Sequence, residues 1–368
     1  MTNKSRTEKT KAPARPSDTS WLHGEAVATR VLKRILATNP VTLGWDWGAG
    51  LLGDALGEWE SFPGVRKFLG EWVRHHEQMG TSFMDEGGWH WKAGAGTTLL
   101  RLESWSPSDR WRRWIEALGR HVLESPSGPG GIWLTKPERR EIWIDTLATA
   151  CPFVARAGAA GFGSDWLSKA AEQICAHSEL LQCPRTGLWA HAWSLKNKRS
   201  LGCFWSRGNG WAIHAMVEVL CLTGTRREPR LASILENTCR GLLAVRKPCG
   251  NWHTVLDDPT SYIETSGQAL LVRGLSKAAR LGLVSARTKP GARKAAQLGW
   301  VGVASHVSDS GEVTGTSLGT PAGSRSGYTS RPMASWPVWG PAATLLAARE
   351  MDFATIQPTQ KSRSARTG

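Results

Sequence analysis

Apolar residues recur at three- and four-residue spacing along most of the chain, the period of a helix that buries one face. In residues 21–37, Leu22, Val27, Val31, Leu32 and Ile35 fall on one such face. The same spacing predicts helices over 49–59, 65–79, 95–105, 110–123, 140–157, 165–181, 211–221, 230–245, 261–281 and 341–351. Gly and Pro punctuate the joints, and no Pro/Gly/Ser-rich linker divides the chain. Strand-like alternation of β-branched residues is scarce, and its best stretch is 299–307. Helices in such number, without a linker, can form a solenoid, a large bundle or a closed ring of helical hairpins. No repeat of fixed period supports the solenoid. A ring of inner and outer helices fits the length, and its inner-helix starts and loops would line one cleft.

Composition narrows the class. The 368 residues are 40% hydrophobic and 21% charged, with no apolar run long enough to span a bilayer, so the chain is neither disordered nor membrane-spanning. Seven cysteines, odd in number and spaced beyond a Cys-x-x-Cys, argue against a disulfide framework or a zinc site. Residues 1–20 lack the apolar core of a secretory signal, and the chain reads as cytoplasmic. The net charge of +15 invites a nucleic-acid reading. Yet Lys4, Arg6, Lys9, Lys11 and Arg15, against Glu8 and Asp18, place +3 in a tail over 1–20, and Lys361, Arg363 and Arg366 place another +3 in a tail over 354–368. The body, 21–353, has no Lys/Arg block and no helix-turn-helix, zinc-finger or RNP pattern, so no nucleic-acid partner is expected. A basic body also suits an acidic small substrate.

Candidate chemistry lies where polar residues interrupt the helical pattern beside Trp and Gly. Asp145 is the lone carboxylate in the apolar stretch from Ile142 to Phe153. Taken alone, such an Asp is more often a helix cap or a satisfied core group than an acid. His191 sits between Trp189 and Trp193, where a packed histidine is the plainer reading. Arg207 lies in a Gly-rich turn between Trp205 and Trp211; its guanidinium could stack on an indole or hold a carboxylate, or the segment is a helix entry capped by Asn209. Gly208-Asn-Gly210 lacks the preceding strand and the later glycine of a phosphate loop, and no zinc-hydrolase or serine-hydrolase pattern occurs.

Read in order, five segments resemble the unsaturated glucuronyl and rhamnogalacturonyl hydrolases, glycoside hydrolase families 88 and 105. They are Trp143-Ile-Asp145-Thr-Leu, Gly187-Leu-Trp-Ala-His191, Trp205-Ser-Arg207-Gly-Asn-Gly-Trp211, Asp257-Asp-Pro-Thr-Ser-Tyr-Ile-Glu264-Thr-Ser266-Gly and Tyr328-Thr-Ser-Arg331-Pro. The resemblance spans about Trp45 to Met351. It implies an all-α (α/α)6 six-hairpin barrel that releases a 4,5-unsaturated uronic acid from the non-reducing end of small acidic oligosaccharides made by polysaccharide lyases. Asp145 matches the acid that protonates the enol-ether double bond, with water as co-substrate and no metal or organic cofactor implied. Its neighbours Ile142, Trp143, Ile144 and Leu147 are the kind of setting that favours a neutral carboxyl. The resemblance gives His191, Trp205, Arg207 and Trp211 to substrate binding, Arg207 to the substrate carboxylate. Trp45 and Trp47 fit an aromatic entrance to the second helix; Asp257, Asp258 and Glu264 read as structural, and Tyr328 and Arg331 as residues of the cleft rim.

The chain departs from the pattern twice. Where relatives carry an Asp before the glycine that opens the fourth helix, it reads Trp89-His-Trp-Lys-Ala-Gly94, leaving Asp85, His90 or Lys92 to take that place. Where they read Gly-Phe-Trp-His it has Gly131-Ile-Trp133-Leu134, which keeps Trp133 as a binding candidate and loses the His. The competing readings are a non-catalytic sugar-binding relic and a conventional inverting glycosidase, the latter needing Asp46 or Asp85 as a second carboxylate across the cleft.

Overall fold

The computed structural model describes residues 20–81, 90–334 and 337–355. The tails expected at 1–20 and 354–368 fall, but for their inner ends, outside them, as does Asp85. The chain runs through α1 (Gly24–Leu36), α2 (Trp47–Gly57), α3 (Val65–Gln78), α4 (Gly96–Trp105), α5 (Asp109–Leu123), β1 (Glu141–Trp143), α6 (Asp145–Ala159), α7 (Trp166–Leu181), β2 (Ala192–Ser194), β3 (Arg199–Leu201), α8 (Ser206–Thr223), α9 (Pro229–Ala244), α10 (Thr265–Leu281), α11 (Lys289–Ser305), α12 (Arg325–Thr329) and α13 (Trp339–Thr355).

Packing sorts these helices into two rings. α2, α4, α6, α8, α10 and α13 each pack on the next, and α13 closes back on α2; α3, α5, α7, α9, α11 and α1 lie outside them. This is a six-hairpin α/α barrel. Burial explains the sorting. α8 is buried from Ser206 to Leu220 and α10 from Thr265 to Ala279, as helices walled on every side must be. Outer helices carry a stripe: in α1 only Gly24, Val27, Ala28, Val31, Leu32 and Ile35 are buried. Close approach in the inner ring requires glycine, since a Cβ on Gly50 of α2 would stand 2.6 Å from the Ala95 nitrogen.

Three expectations are corrected. The alternation at 299–307 is, up to Ser305, the end of α11, where Ala292, Ala295, Ala296, Gly299, Trp300 and Val303 are buried at helical spacing, and only Val307 pairs, with Val313, in a β-bridge. The strand-like window began too late to include the first half of that period. α8 starts at Ser206, five residues before the predicted 211, so the whole Arg207-Gly-Asn-Gly run is helical. The predicted helix over 140–157 begins only at Asp145, because 141–143 pair antiparallel with 192–194, which pair with 199–201.

Candidate active site

The small sheet brings the first two candidates together. Trp143 stands opposite Ala192, and the Ile144 N–H donates to the His191 carbonyl at 2.9 Å, so the residue that opens α6 faces the residue that precedes β2. Thr135 fixes this entry by accepting from the Trp143 N–H at 2.8 Å and sharing a 2.6 Å hydrogen bond with Thr146. Asp145 Oδ2 lies 3.1 Å from His191 Nε2, and His191 Nδ1 lies 2.7 Å from the Tyr328 hydroxyl. A neutral imidazole carries one ring proton, so the chain admits two arrangements. Either Tyr328 donates to Nδ1 and Nε2–H donates to the carboxylate, or a protonated Asp145 donates to Nε2 and Nδ1–H donates to Tyr328. His191 thereby couples the carboxyl proton to a buried hydroxyl.

Packing holds this triad in place. His191 is fully buried, stacked on Trp205 at 4.7 Å and edge-on to Trp143 at 5.2 Å, while the Asp145 side chain keeps 15% of its surface exposed. Burial pushes the Tyr328 hydroxyl well above its usual range, against the pull of the Cys203 and Gly323 backbone. Gly202, at φ +82°, is the position that lets the chain pass: a Cβ there would stand 2.2 Å from the Tyr328 oxygen. Asn209, read in the sequence as a cap, is a clamp. Its amide accepts from the Trp189 N–H at 2.8 Å and donates to the Trp189 and Trp205 carbonyls at 2.9 Å, tying the His191 segment to α8.

Two adjoining cavities meet at Asp145. One descends between the inner helices past Trp47, Trp91, Thr97, Trp211 and Pro152 to Asp54 and His214. The other is walled by Trp47, Trp91, Trp143, Trp205, Trp211, Arg207 and the Gly319–Pro321 loop. The second cavity and the mouth of the first lie at the N-terminal ends of α2, α6 and α8, where partial positive charge favours an anion. Trp205 and Trp211 are therefore cavity-wall residues, and Trp47 joins them, 6.2 Å edge-to-face from Trp211 and 4.7 Å from Trp339.

Other candidates fall elsewhere. Trp45 points into the outer layer, stacked on Trp72 at 4.9 Å, and does not wall either cavity. Trp133 is 3% exposed and packs 5.5 Å from the His90 ring, also behind the walls. Arg207 reaches the wall, but its terminal nitrogens are already engaged. Nη1 donates to Glu264 at 3.2 Å, Ser266 at 3.1 Å and Ser317, and Nη2 to the Leu318 carbonyl at 2.8 Å and to Thr320. Its guanidinium carbon lies 4.5 Å over Trp205, and only Nε lacks a partner. Arg207 thus braces the 317–320 wall against Glu264, which also caps α10. Asp46, the second-carboxylate candidate, is occupied as the α2 cap, accepting from Gly48 and Ala49 at 2.8 and 2.9 Å. Among the described residues no three His, Cys, Asp or Glu side chains converge to hold a metal ion, all seven cysteines are free, and no helix is long and apolar enough to cross a membrane.

Beneath the site lies a charge network the sequence reading missed. Asp54 pairs with Arg156, which donates to Glu218 at 2.8 Å; Glu218 accepts from Lys277 at 2.5 Å and Arg273 at 3.3 Å; Arg273 reaches Glu58 and, at 2.9 Å, Glu350. Burial alone would raise the Asp54 carboxyl, but Arg156 and His214 outweigh it and hold it below the usual carboxylate range. Burial drives His214 down to about 4. The available signal was a lone charge inside each apolar run, Asp54 in α2 and Glu218 in α8.

This fold and site define a glycoside hydrolase: residues 25–354 match Glycosyl Hydrolase Family 88, and the chain belongs to that family. It is 29% identical over 272 residues to the unsaturated rhamnogalacturonyl hydrolase YesR of Bacillus subtilis (strain 168), covering 70% of this chain and 76% of that protein. It is 26% identical over 245 residues to an unsaturated 3S-rhamnoglycuronyl hydrolase of Alteromonas sp. (strain LOR), covering 64% of this chain and 57% of that one. A crystal structure described as a possible member of the GH105 family, from Salmonella enterica subsp. enterica serovar Paratyphi A, superposes with a TM-score of 0.82 at 22% identity, over 93% of this chain and 97% of that one.

Proposed function

We propose that the chain removes a 4,5-unsaturated uronic acid from the non-reducing end of small oligosaccharides, with Asp145 as its acid and base. One observation carries the reading: of the two carboxylates that wall the cavities among the described residues, Asp54 is held by Arg156, while Asp145 is partly exposed and, among the described residues, its side chain is hydrogen-bonded to an imidazole that can pass or receive its proton. A conventional glycosidase needs two working carboxylates across its cleft. An enol ether needs one. Asp145 gives its proton to C4 of the sugar, the C4–C5 π electrons form the new C–H bond, and positive charge develops at C5 and the ring oxygen. Water adds at C5 and returns a proton to the Asp145 carboxylate. The hemiketal then opens and the remaining oligosaccharide leaves. His191 and Tyr328 hold the carboxyl in register and accommodate either protonation state, and the indoles of Trp47, Trp205 and Trp211 offer faces for the sugar rings. The relatives' names, an unsaturated rhamnogalacturonyl and an unsaturated 3S-rhamnoglycuronyl hydrolase, support the same bond type.

The test is incubation with unsaturated di- and trisaccharides while following the ultraviolet band of the conjugated carboxylate. Its disappearance is expected; cleavage of saturated glycosides with no loss of that band would instead favour the inverting-glycosidase reading.

A further inference from the structure

The cations of one outer wall stand apart in the sequence and are gathered by the fold. α9 and α11 lie side by side: the Ser285 N–H ahead of α11 donates to Glu236 of α9 at 2.9 Å, and a Cβ on Gly291 of α11 would stand 3.2 Å from the Leu243 side chain of α9. The turn over 183–187 is pressed against the same helix, since a Cβ on Gly241 would stand 2.1 Å from the Thr186 carbonyl oxygen. The loop after α9 joins this surface, with the Lys247 N–H donating to the Asn251 carbonyl at 2.9 Å and Asn251 lying against Gly302 of α11.

Together residues 183–187, 236–251 and 285–302 hold eight cations and one carboxylate, Glu236. Arg185, Arg240, Arg246 and Lys247 come from the turn, α9 and its following loop; Arg287, Lys289, Arg293 and Lys294 come from the approach and first turns of α11. The resulting +7 is most of the +9 that the body carries between its two basic tails. Glu236 is taken up locally, accepting from the Ser285 N–H and hydroxyl, each at 2.9 Å, and from Thr288. Arg185, Arg240, Arg287, Arg293 and Lys294 are exposed, and among the described residues none of the eight cations is in an ion pair. Elsewhere on the outer ring the balance is different: on α5, Arg110 pairs with Glu77, Arg112 with Glu103 and Arg120 with Glu116. Unbalanced charge repels itself and costs the folded chain stability, a cost that an anionic partner removes.

The shape and chemistry of the wall select that partner. It is the convex side of the barrel, built from two packed helices, and offers no element that enters a nucleic-acid groove. Its one aromatic residue, Trp300, is buried, so no ring is presented for stacking on a base. Aliphatic side chains lie among the cations instead: Val301 is 42% exposed, and Leu243, Val245 and Leu298 are half-buried. Long basic side chains around small areas of hydrocarbon suit the headgroup layer of an anionic bilayer, where each Lys or Arg near the surface adds to the attraction.

We propose that this wall docks the protein on an anionic lipid surface. None of its residues lines either cavity of the candidate active site, whose mouth lies at the N-terminal ends of the inner helices. The docked barrel therefore lies on its side with the mouth clear of the lipid. Docking of this kind is independent of the reaction the site performs.

The test is co-sedimentation of the full chain with vesicles of phosphatidylcholine alone and of phosphatidylcholine mixed equally with phosphatidylglycerol, in about 0.1 M salt. The quadruple variant Arg240→Gln, Arg287→Gln, Arg293→Gln, Lys294→Gln removes exposed, unpaired cations of the wall and should melt like the native protein. A second variant, Arg139→Gln, Lys196→Gln, Lys198→Gln, Arg199→Gln, removes the same charge from exposed positions elsewhere. The native protein should bind the mixed vesicles about a hundredfold more tightly than phosphatidylcholine; the wall variant should lose at least about tenfold of this and the second variant less than about threefold. In about 0.5 M salt the native preference should disappear. Should the quadruple variant fail to fold, the pair Arg293→Gln, Lys294→Gln carries the same comparison. No preference for the mixed vesicles, or an equal loss in the wall and second variants, would overturn the proposal. Tighter binding of a DNA duplex or of soluble polygalacturonate than of the mixed vesicles at the same salt, lost in the wall variant, would also overturn it, by giving the wall a different polyanion.

Discussion

Asp145 and Asp54 wall one cavity from opposite ends, and their surroundings could hardly differ more. Asp145 opens α6 beneath the aromatic walls, its oxygen shared with a neutral-capable imidazole and part of its surface open. Asp54 sits mid-helix in α2, buried, paired with Arg156 and joined through it to Glu218, Lys277 and Arg273. On the proposed function the first exchanges a proton, while the second keeps its charge through its pairing with Arg156. Both ends of the barrel contain buried polar groups, so burial alone does not mark a catalytic carboxylate. What sets Asp145 apart from Asp54 is that, among the described residues, no Arg or Lys holds it in an ion pair.

The comparison breaks most sharply at Asp145. Asp145→Asn should lower kcat by about a thousandfold or more while leaving the melting temperature within a degree or two of native, checked by steady-state kinetics and calorimetry. Near-full activity would remove the assignment. Glu218→Gln should do the reverse in kind: it leaves Lys277, Arg273 and Arg156 short of an anion, and loss of a buried partner costs about 3–5 kcal/mol in denaturant unfolding. The acid limb sharpens the same contrast. Asp54 lies below its ordinary 3.8 and Glu218 well below 4.5, Glu218 because Lys277, Arg156 and Arg273 outweigh the opposing effect of burial. Each binds fewer protons folded than unfolded, so the stability it contributes is present above those ordinary values and lost as pH falls through 4 toward its folded pKa. His214, brought to about 4 chiefly by burial, adds a loss that begins as pH falls below its ordinary 6.5. Melting temperatures measured from pH 7 to pH 3 should therefore fall throughout, most steeply at the acid end, and Glu218→Gln should flatten that end. The smallest expected effect is at Tyr328. Tyr328→Phe keeps the ring packing but removes the hydrogen bond to His191, and should lower kcat about five- to tenfold with KM nearly constant and a displaced pH–rate profile.

The legible part of the fold was the part with a period. Outer helices such as α1 and α5 carry an apolar stripe that spacing reveals, and the inner helices show as apolar runs between glycines. The three strands were not legible because each is three residues long, too short for alternation to register. The site divided the same way. Asp145, His191, Trp205 and Trp211 each stand in a compact local motif that drew attention to them, and the structure brings them to one place. Tyr328 reaches His191 across 137 residues of chain, a contact with no local periodicity, so its hydrogen bond could not be foreseen. Trp45 and Trp47 read alike in sequence, two indoles in one Gly-rich entrance. They part because Asp46 caps α2 between them, so Trp47 begins the helix toward the cavity while Trp45 stays in the preceding turn against Trp72.

The central claim is that one carboxyl, Asp145, protonates the sugar carbon and the double bond is consumed in the act. Turnover of an unsaturated disaccharide in D2O, with the released uronic acid analysed by mass spectrometry and NMR, tests it most directly. The native protein should yield a product with no double bond and one deuterium fixed at C4, and Asp145→Asn should yield none. A released sugar that keeps its double bond, or deuterium at C4 at native rates from Asp145→Asn, would contradict the account.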